Sequence, residues 1–367
     1  MTQAVFNTEN TAWKEGKYPL FLGQQPALYD SVNVTYPKLF DLYKLQKSID
    51  WAETEVALEQ SKLDMANDDC DSRQLMIENL CYQWEADSVA ARSIAAAFAP
   101  FITNSEYWAA LLKVSEIEVL HALTYSEIVR QCIPNPTDVF ERIMENQKIH
   151  DRMHTIATVF NELKMAGAKY TLGMITDEEA YPFVMNGLVA LFGLERLQFM
   201  DSFAKTFGTI EASQKYIGIG QLVAKIMQDE RWVHAELGRE ALRIELETER
   251  GLEWRIKYDD VITNIVKEIH RSEYRFNDYI FLEKGWKVNG LSHSLCRDWI
   301  DWNAMDVYDT LHIPHDIKLT STPLKFMDNW LDLDRFQNAN QEGDNTNYVL
   351  NSVIRDVTDD TVFDIEL

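Results

Sequence analysis

Residues 117–126, IEVLHALTYS, constrain this chain more than any other stretch. Wound as a helix, they place Glu118, His121 and Tyr125 at i, i+3 and i+7, on one face. The neighbours Ile117, Val119, Leu120, Ala122 and Leu123 are apolar, so this stretch is expected inside the protein. A carboxylate and an imidazole are then buried together. Burying a charge is strongly unfavourable unless it is paired, hydrogen-bonded or bound to a metal. The fold must therefore bring partners to this face, and a metal ion with a tyrosine one turn below it meets that demand.

A core able to enclose such a group is within reach, since 46% of the 367 residues are apolar. The formal net charge of -24, from 35 basic and 59 acidic residues, argues against nucleic acid or anionic lipid as the main partner. An acidic surface suits a basic protein partner instead. Cys70, Cys81, Cys132 and Cys296 are far apart and form no CxxC pair, which indicates reduced thiols rather than a zinc ribbon or a disulfide framework. Residues 1–20 lack a basic start followed by an apolar run, and the apolar stretch around 183–194 is interrupted and too short for a bilayer. A soluble, cytoplasmic protein is expected, with no membrane segment.

Residues 1–37, with Gly16, Pro19, Gly23, Pro26 and Pro37, read as an irregular arm. Helical patterning is predicted over 39–51 and again over 74–99, the second helix Ala-rich toward its end and carrying Asp87. Asn104 or Ser105 can cap the helix that bears Glu118, and Pro134 and Pro136 stop it. A single long helix is expected over 137–164, with Gln147, Lys148 and Arg152 marking a solvated side. Thr176 with Glu179 forms a capping box. It opens a long apolar segment in which Glu195, Phe199 and Phe203 share a face at i, i+4 and i+8. Gly218 and Gly220 read as a break before a helix that carries Asp229, Glu230 and His234. Further helices are expected over 259–281, ended by Gly285, and over 296–312, with a turn at Asn289 and Gly290 and extended chain at 317–321. The division is an arm at 1–37, a helical domain at 38–336 and a flexible tail at 337–367. Yet the tail ends in Val362, Phe363, Ile365 and Leu367 set among acids, which a purely solvated end does not need.

Spacing alone is weak evidence for ligands. With 8 histidines and 59 acids, an acid three residues before a histidine arises about once by chance, and Asp151 with His154 or Asp309 with His312 illustrates this. Glu118 with His121 differs in being embedded in apolar residues, as is Glu195, and Asp87 lies on an Ala-rich helix. Four helices each bringing an inward acid, two of them with a histidine on the same face, is the plan of a dimetal carboxylate site in a ferritin-like, all-α bundle. Carboxylate oxygens and imidazole nitrogens suit iron or manganese better than zinc. Taken singly, Tyr125, Phe199, Phe203 and Trp51 would each be ordinary core residues, and Asp229 a solvated one.

Together these segments resemble the small, radical-generating subunit of class I ribonucleotide reductase. PLFLG near the start, IDWAETEV, NLCYQWEADS, EVLHALTY, GLERLQFMDSF, KIMQDERWVH, FNDYIFLEKG and NTNYVL carry the resemblance over nearly the whole chain. It implies that Asp87, Glu118 and His121 hold one metal and Glu195, Glu230 and His234 the other. Tyr125 matches the tyrosine that becomes a stable radical, and Phe199 and Phe203 match its apolar lining. Trp51 and Asp229 match a relay coupling electron and proton transfer between cofactor and surface, and Tyr348 matches the tail tyrosine that hands the hole to the large subunit. The implied cofactor is a dinuclear centre, Fe/Fe first with Mn/Fe or Mn/Mn as alternatives, plus a tyrosyl radical. The implied partners are the large catalytic subunit, docked through the C-terminal tail, and a second copy in a homodimer. The rival reading is a ferritin-like dimetal oxidase or hydroxylase with its own substrate, which needs neither relay nor tail; a helical storage or scaffold protein needs no catalysis at all.

At one place the chain departs from the pattern it resembles. The second Glu and His are normally three apart, whereas Glu230 and His234 are four apart, and the residue three before His234 is Arg231, which cannot ligate. Either Glu230 ligates, with the extra residue absorbed in a π-bulge, or Asp229 swings in and Glu230 faces outward. The first is favoured, because Asp229 is then free to hydrogen-bond His121 and orient its ring.

Overall fold

The computed structural model describes residues 6–16, 18–25, 28–67 and 70–332. Among them fourteen α-helices make an all-α bundle with no β-sheet; extended pairing is limited to isolated bridges, Phe21 with Ile102 and Val288 with Leu291. In chain order the helices are α1 (Pro37–Ser48), α2 (Glu59–Asn67), α3 (Asp71–Phe98), α4 (Ser105–Cys132), α5 (Pro136–Glu145), α6 (Gln147–Thr171) and α7 (Asp177–Gly193). They continue as α8 (Phe199–Ser213), α9 (Ile217–Asp229), α10 (Ala235–Leu246), α11 (Glu249–Lys257), α12 (Asp259–Asp278), α13 (His293–Thr310) and α14 (Phe326–Trp330). Three π-helical turns, Leu194–Gln198, Glu230–His234 and Tyr279–Glu283, join α7 to α8, α9 to α10, and extend α12.

The centre is built on α3 and α4, each 28 residues long and packed side by side, with α8 and α6 against α3 and α1 and α9 against α4. Small buried residues on α3, Ala86, Ala90 and Ala97, let it lie close to its neighbours. Asn104 caps α4, its Oδ1 accepting the Tyr107 N–H at 2.8 Å. The capping box of α7 forms as expected, with Glu179 N–H donating to Thr176 Oγ1 at 3.3 Å and Thr176 N–H donating to Glu179 Oε2 at 2.9 Å. The run Asp177–Ser213 is long and apolar enough to cross a membrane, but 89% of its apolar window is buried in the protein, so it serves as the bundle's core helix. None of the four cysteines is in a disulfide; Cys81, Cys132 and Cys296 are buried.

Several expectations are corrected. The single helix over 137–164 is two, because Asn146 leaves helical backbone and its side chain caps α6 by accepting the Lys148 N–H at 3.0 Å. Arg152, read as part of a solvated side, is fully buried, while Asp151 and His154 beside it are exposed. Val119 and Leu123 are exposed, so the apolar surroundings of α4 are one-sided. Gly218 and Gly220 lie inside α9; the break before it comes from Gln214 and Tyr216 at φ 54 and 62. These glycines are there for proximity, since a Cβ would sit 2.6 Å from Ala57 O at Gly218 and 2.4 Å from Ile210 Cδ1 at Gly220. α2 and α11 are additional, and 317–321 is not a strand.

The inward Arg152 ties four helices together. From α6 its Nε donates to Glu273 of α12 at 2.7 Å, and its Nη2 reaches that carboxylate again and Asp201 of α8 at 3.1 Å. Its guanidinium lies 3.5 Å from the ring centroid of Tyr82 on α3 and 4.4 Å from that of Phe276 on α12. Lys205 completes the group by pairing with Asp201, so two buried cations meet two buried anions. Removing one partner of such a cluster leaves an uncompensated charge in a dry place. Arg152→Ala is therefore expected to lower unfolding stability by about 3–5 kcal/mol, measurable by denaturant titration; a loss under about 1 kcal/mol would contradict this role.

Candidate metal centre

The cap at Asn104 sets the phase of α4, and about four to five turns on Glu118 and His121 arrive at the middle of the bundle together with Tyr125, all fully buried. Asp87 comes from α3, Glu195 from the π turn after α7, and Glu230 and His234 from the two ends of the π turn after α9. His121 Nδ1 lies 3.0 Å from Glu230 Oε1 and 3.8 Å from Glu118 Oε2. His234 Nδ1 lies 2.9 Å from both Glu118 Oε1 and Glu230 Oε2. The two imidazoles stack at 5.5 Å, and one ligand-type atom from each of Glu118, His121, Glu230 and His234 falls within 4.8 Å of the others. Across the five-residue π turn Glu230 and His234, four apart and so on one face, reach the same point.

Asp87 and Glu195 flank this group, and burial and neighbouring charge shift both of them, Glu230 and the two imidazoles. Burial, then the charge of Glu118, pushes the Asp87 carboxyl well above the usual range. Burial, then Glu230, does the same to Glu195. Burial alone would lower the His234 imidazole, but Glu230 and Glu118 overcome it and raise it to about 10. His121 is likewise raised against its burial, by Asp229, Glu118 and Glu230. For Glu230 burial is outweighed by the charge of His234 and by its close approach to Glu195 and His121, so its carboxyl is held low.

The donor set fits a pair of cations. Both oxygens of Asp87, Glu195 and Glu230, one oxygen of Glu118, Nδ1 of His121 and Nε2 of His234 have no hydrogen-bond partner despite being dry. Among the described residues no lysine or arginine pairs with any of the six. Four carboxylates therefore converge with two imidazoles and nothing permanently cationic between them, which oxygen- and nitrogen-preferring metals resolve.

On the outer side of His121, Asp229 Oδ2 accepts from Nε2 of that ring at 3.1 Å and from Trp51 Nε1 at 2.7 Å. Its Oδ1 accepts from Gln46 Nε2 at 2.7 Å. Trp51 also stacks on the His121 ring at 6.1 Å and 21°. Glu230 is turned into the cluster and Asp229 is not, which is the first of the two arrangements. Gln46 was missed, although it follows Leu39 and Leu42 on the buried face of α1, where a lone amide signals a partner. Toward the surface, Lys225 Nζ lies 5.9 Å from the Trp51 ring centroid and 2.9 Å from Glu55 Oε2.

The Tyr125 hydroxyl is buried without a hydrogen-bond partner. Burial first, and then Asp87, Glu230 and Glu118, raise its pKa well above the ordinary phenol value, so it stays protonated. Phe199 and Phe203 are fully buried and stack on one another at 5.9 Å and 16°. Tyr348 lies outside the described residues.

Residues 29–316 match the family model for "Ribonucleotide reductase, small chain". The ribonucleoside-diphosphate reductase subunit beta of Buchnera aphidicola subsp. Acyrthosiphon pisum is 25% identical over 100% of both chains. Among solved structures, the ribonucleotide reductase R2 subunit from Clostridium botulinum aligns with a TM-score of 0.74 at 17% identity, covering 91% of this chain and 99% of that one. An R2-like ligand-binding oxidase with a Mn/Fe cofactor aligns at 0.57 and 14%, over 74% of this chain and 92% of the other. These two likenesses speak for the fold; the family follows from the model match, which spans most of the sequence, and the chain belongs to the small chain of ribonucleotide reductase.

Proposed function

We propose that this chain is the radical-generating small subunit of class I ribonucleoside-diphosphate reductase, working from the cytoplasm as a homodimer with a large catalytic subunit. Asp87, Glu118 and His121 would hold one metal and Glu195, Glu230 and His234 the other. A pair of iron or manganese ions in this donor set would supply redox chemistry with dioxygen. The observation that carries the reading is Asp229, whose carboxylate joins the inner ring of His121 to the outer ring of Trp51 through two hydrogen bonds. An oxidase acting on a substrate of its own has no use for that link.

Each residue's part follows from its surroundings. By accepting from Nε2 of His121, Asp229 holds the proton there and leaves Nδ1 as the lone-pair donor facing Glu118 and Glu230. Gln46 fixes the other carboxylate oxygen, so Asp229 cannot rotate away from Trp51. Tyr125 keeps its phenolic proton, so it must yield proton and electron together. Phe199 and Phe203, assigned to the lining of this tyrosine, are buried and stacked on one another; as such a wall they would offer no hydrogen bond to a phenoxyl and would lengthen its life. Trp51, almost buried, is the exit toward the surface, where Lys225 and Glu55 close over it. The tail, with Tyr348 and the alternation of Val362, Phe363, Ile365 and Leu367 with acids, is assigned to docking on the large subunit.

Tyr125→Phe removes one hydroxyl that has no partner and should keep the fold and the metal content. Turnover with the large subunit should fall to background, and the paramagnetic resonance signal of a tyrosyl radical should vanish. Normal turnover would remove Tyr125 from the mechanism and favour an oxidant kept on the metals.

Metal removal should expose the proton balance of the centre. Folded and metal-free, Asp87 and Glu195 keep protons that an unfolded chain releases near pH 4, and His234 keeps its proton up to about 10 where an unfolded histidine releases it near 6.5. The folded state binds more protons than the unfolded one across that window, so its stability falls as pH rises; Glu230, held low, opposes this only below its ordinary value of 4.5. The melting temperature of the metal-free protein should therefore drop by several degrees from about pH 6 to about pH 9. The manganese-loaded form should not follow, because the metal has displaced those protons. Equal slopes for the two forms would argue against a metal at these residues.

Deleting residues 360–367 should leave metal content and any radical signal intact while raising the concentration of large subunit needed for half-maximal turnover at least about tenfold. A peptide of those eight residues should inhibit the intact pair. Unchanged turnover at low subunit concentration would show that the tail is not the main contact.

A further inference from the structure

The residue after each of the two π-turn glutamates of the centre is an arginine, Arg196 after Glu195 and Arg231 after Glu230, and neither belongs to the metal centre. Together with Arg239 of α10 they line a concavity of about 500 Å³ whose opposite wall is α13, with Trp302 and Asp306. That volume is within the range of small-molecule sites. None of the six centre residues lines it.

Its charges balance in number but not in pairing. Asp306 is shared by Arg196, whose Nε donates at 2.5 Å, and by Arg239, whose Nη1 donates at 2.7 Å. Glu236 accepts from Arg239 Nε at 3.1 Å, while Arg231 Nη1 is 3.4 Å away and Lys38 Nζ 3.7 Å. Asp309, also in the wall, is taken by His315 Nε2 at 3.0 Å. Three guanidinium groups and three carboxylates thus line the hollow, but they are unevenly paired, since Asp306 and Glu236 take all the arginine contacts and Asp309 takes none. Arg231 is served worst, with a single long contact to a carboxylate already engaged elsewhere. In a chain of net charge -24, three arginines gathered on one hollow run against the general composition.

We propose that this pocket binds a phosphate-bearing anion, held by the forks of Arg196, Arg231 and Arg239 beside the Trp302 ring. Guanidinium forks match the oxygens of a phosphoryl group, and three of them arriving from three segments suit a tetrahedral oxyanion better than a planar one. The hollow is larger than one phosphate, and the indole offers a flat wall for whatever the phosphate is attached to. Free inorganic phosphate or pyrophosphate and the phosphoryl end of a nucleotide share this chemistry.

The test is isothermal titration calorimetry of the metal-loaded full chain, in chloride buffer, with inorganic phosphate, pyrophosphate and adenosine triphosphate, alongside Arg231→Gln. One of the three should bind saturably at one site per chain with a dissociation constant below about 1 mM. Arg231→Gln should weaken it about tenfold or more, with metal content and melting temperature unchanged, since Arg231 contributes no short ion pair. Tighter binding of the triphosphate than of pyrophosphate would identify a nucleotide as the source, and equal binding would identify the inorganic anion. Absence of saturable binding by all three up to about 10 mM, or binding that Arg231→Gln leaves untouched, would overturn the proposal.

Discussion

Asp87, Glu118, Glu195 and Glu230 are gathered in a dry space with no lysine or arginine among them, and this repulsion is the constraint to which the rest of the bundle answers. Two like charges 4 Å apart repel by about 4 kcal/mol at an effective dielectric of 20, so the group can exist only if protons or metal ions are shared within it. Elsewhere the same bundle handles buried charge in the opposite way. Around Arg152 two cations and two anions pair with one another inside the protein, and four helices are tied at that point. One cluster is closed and structural; the other is left open, and its partner must come from outside.

The architecture was legible where sequence signals are local and strong. Asn104 and the Thr176–Glu179 box mark helix starts that the structure keeps, and the inward acids on apolar helices pointed to the centre. Legibility failed where one side chain overrides periodicity. Asn146 divides a continuous pattern by capping the helix that follows it, and Gln214 and Tyr216 break the chain in left-handed conformations for which their residue types give no warning. Arg152 looked solvated because its sequence neighbours are, whereas the anions that hold it lie on α8 and α12, far away in sequence. Gln46 was invisible for the same reason: its purpose is Asp229, 183 positions on.

Within the centre, the four-residue gap between Glu230 and His234 pointed to a π turn because the pattern the chain resembles has a gap of three, leaving one residue to absorb. Glu195 stands in a π turn of its own, between α7 and α8, and no spacing announced it, since a single ligand has no partner on its segment from which an extra residue could be counted. The helix Tyr279–Glu283 widens similarly without any site residue, so a π turn is not by itself a mark of chemistry in this chain.

Asp229 and Glu230 are consecutive, yet they touch opposite nitrogens of the same imidazole, Nε2 for one and Nδ1 for the other. The backbone between them is a single peptide unit at the junction of α9 with its π turn. The ring of His121 is therefore clasped like a plate between thumb and finger of one hand. Rolling that helix about its axis would loosen both grips at once, so the orientation of the His121 ring and the contact to Trp51 form one mechanical degree of freedom, and the chain has no means of adjusting the one while leaving the other as it was.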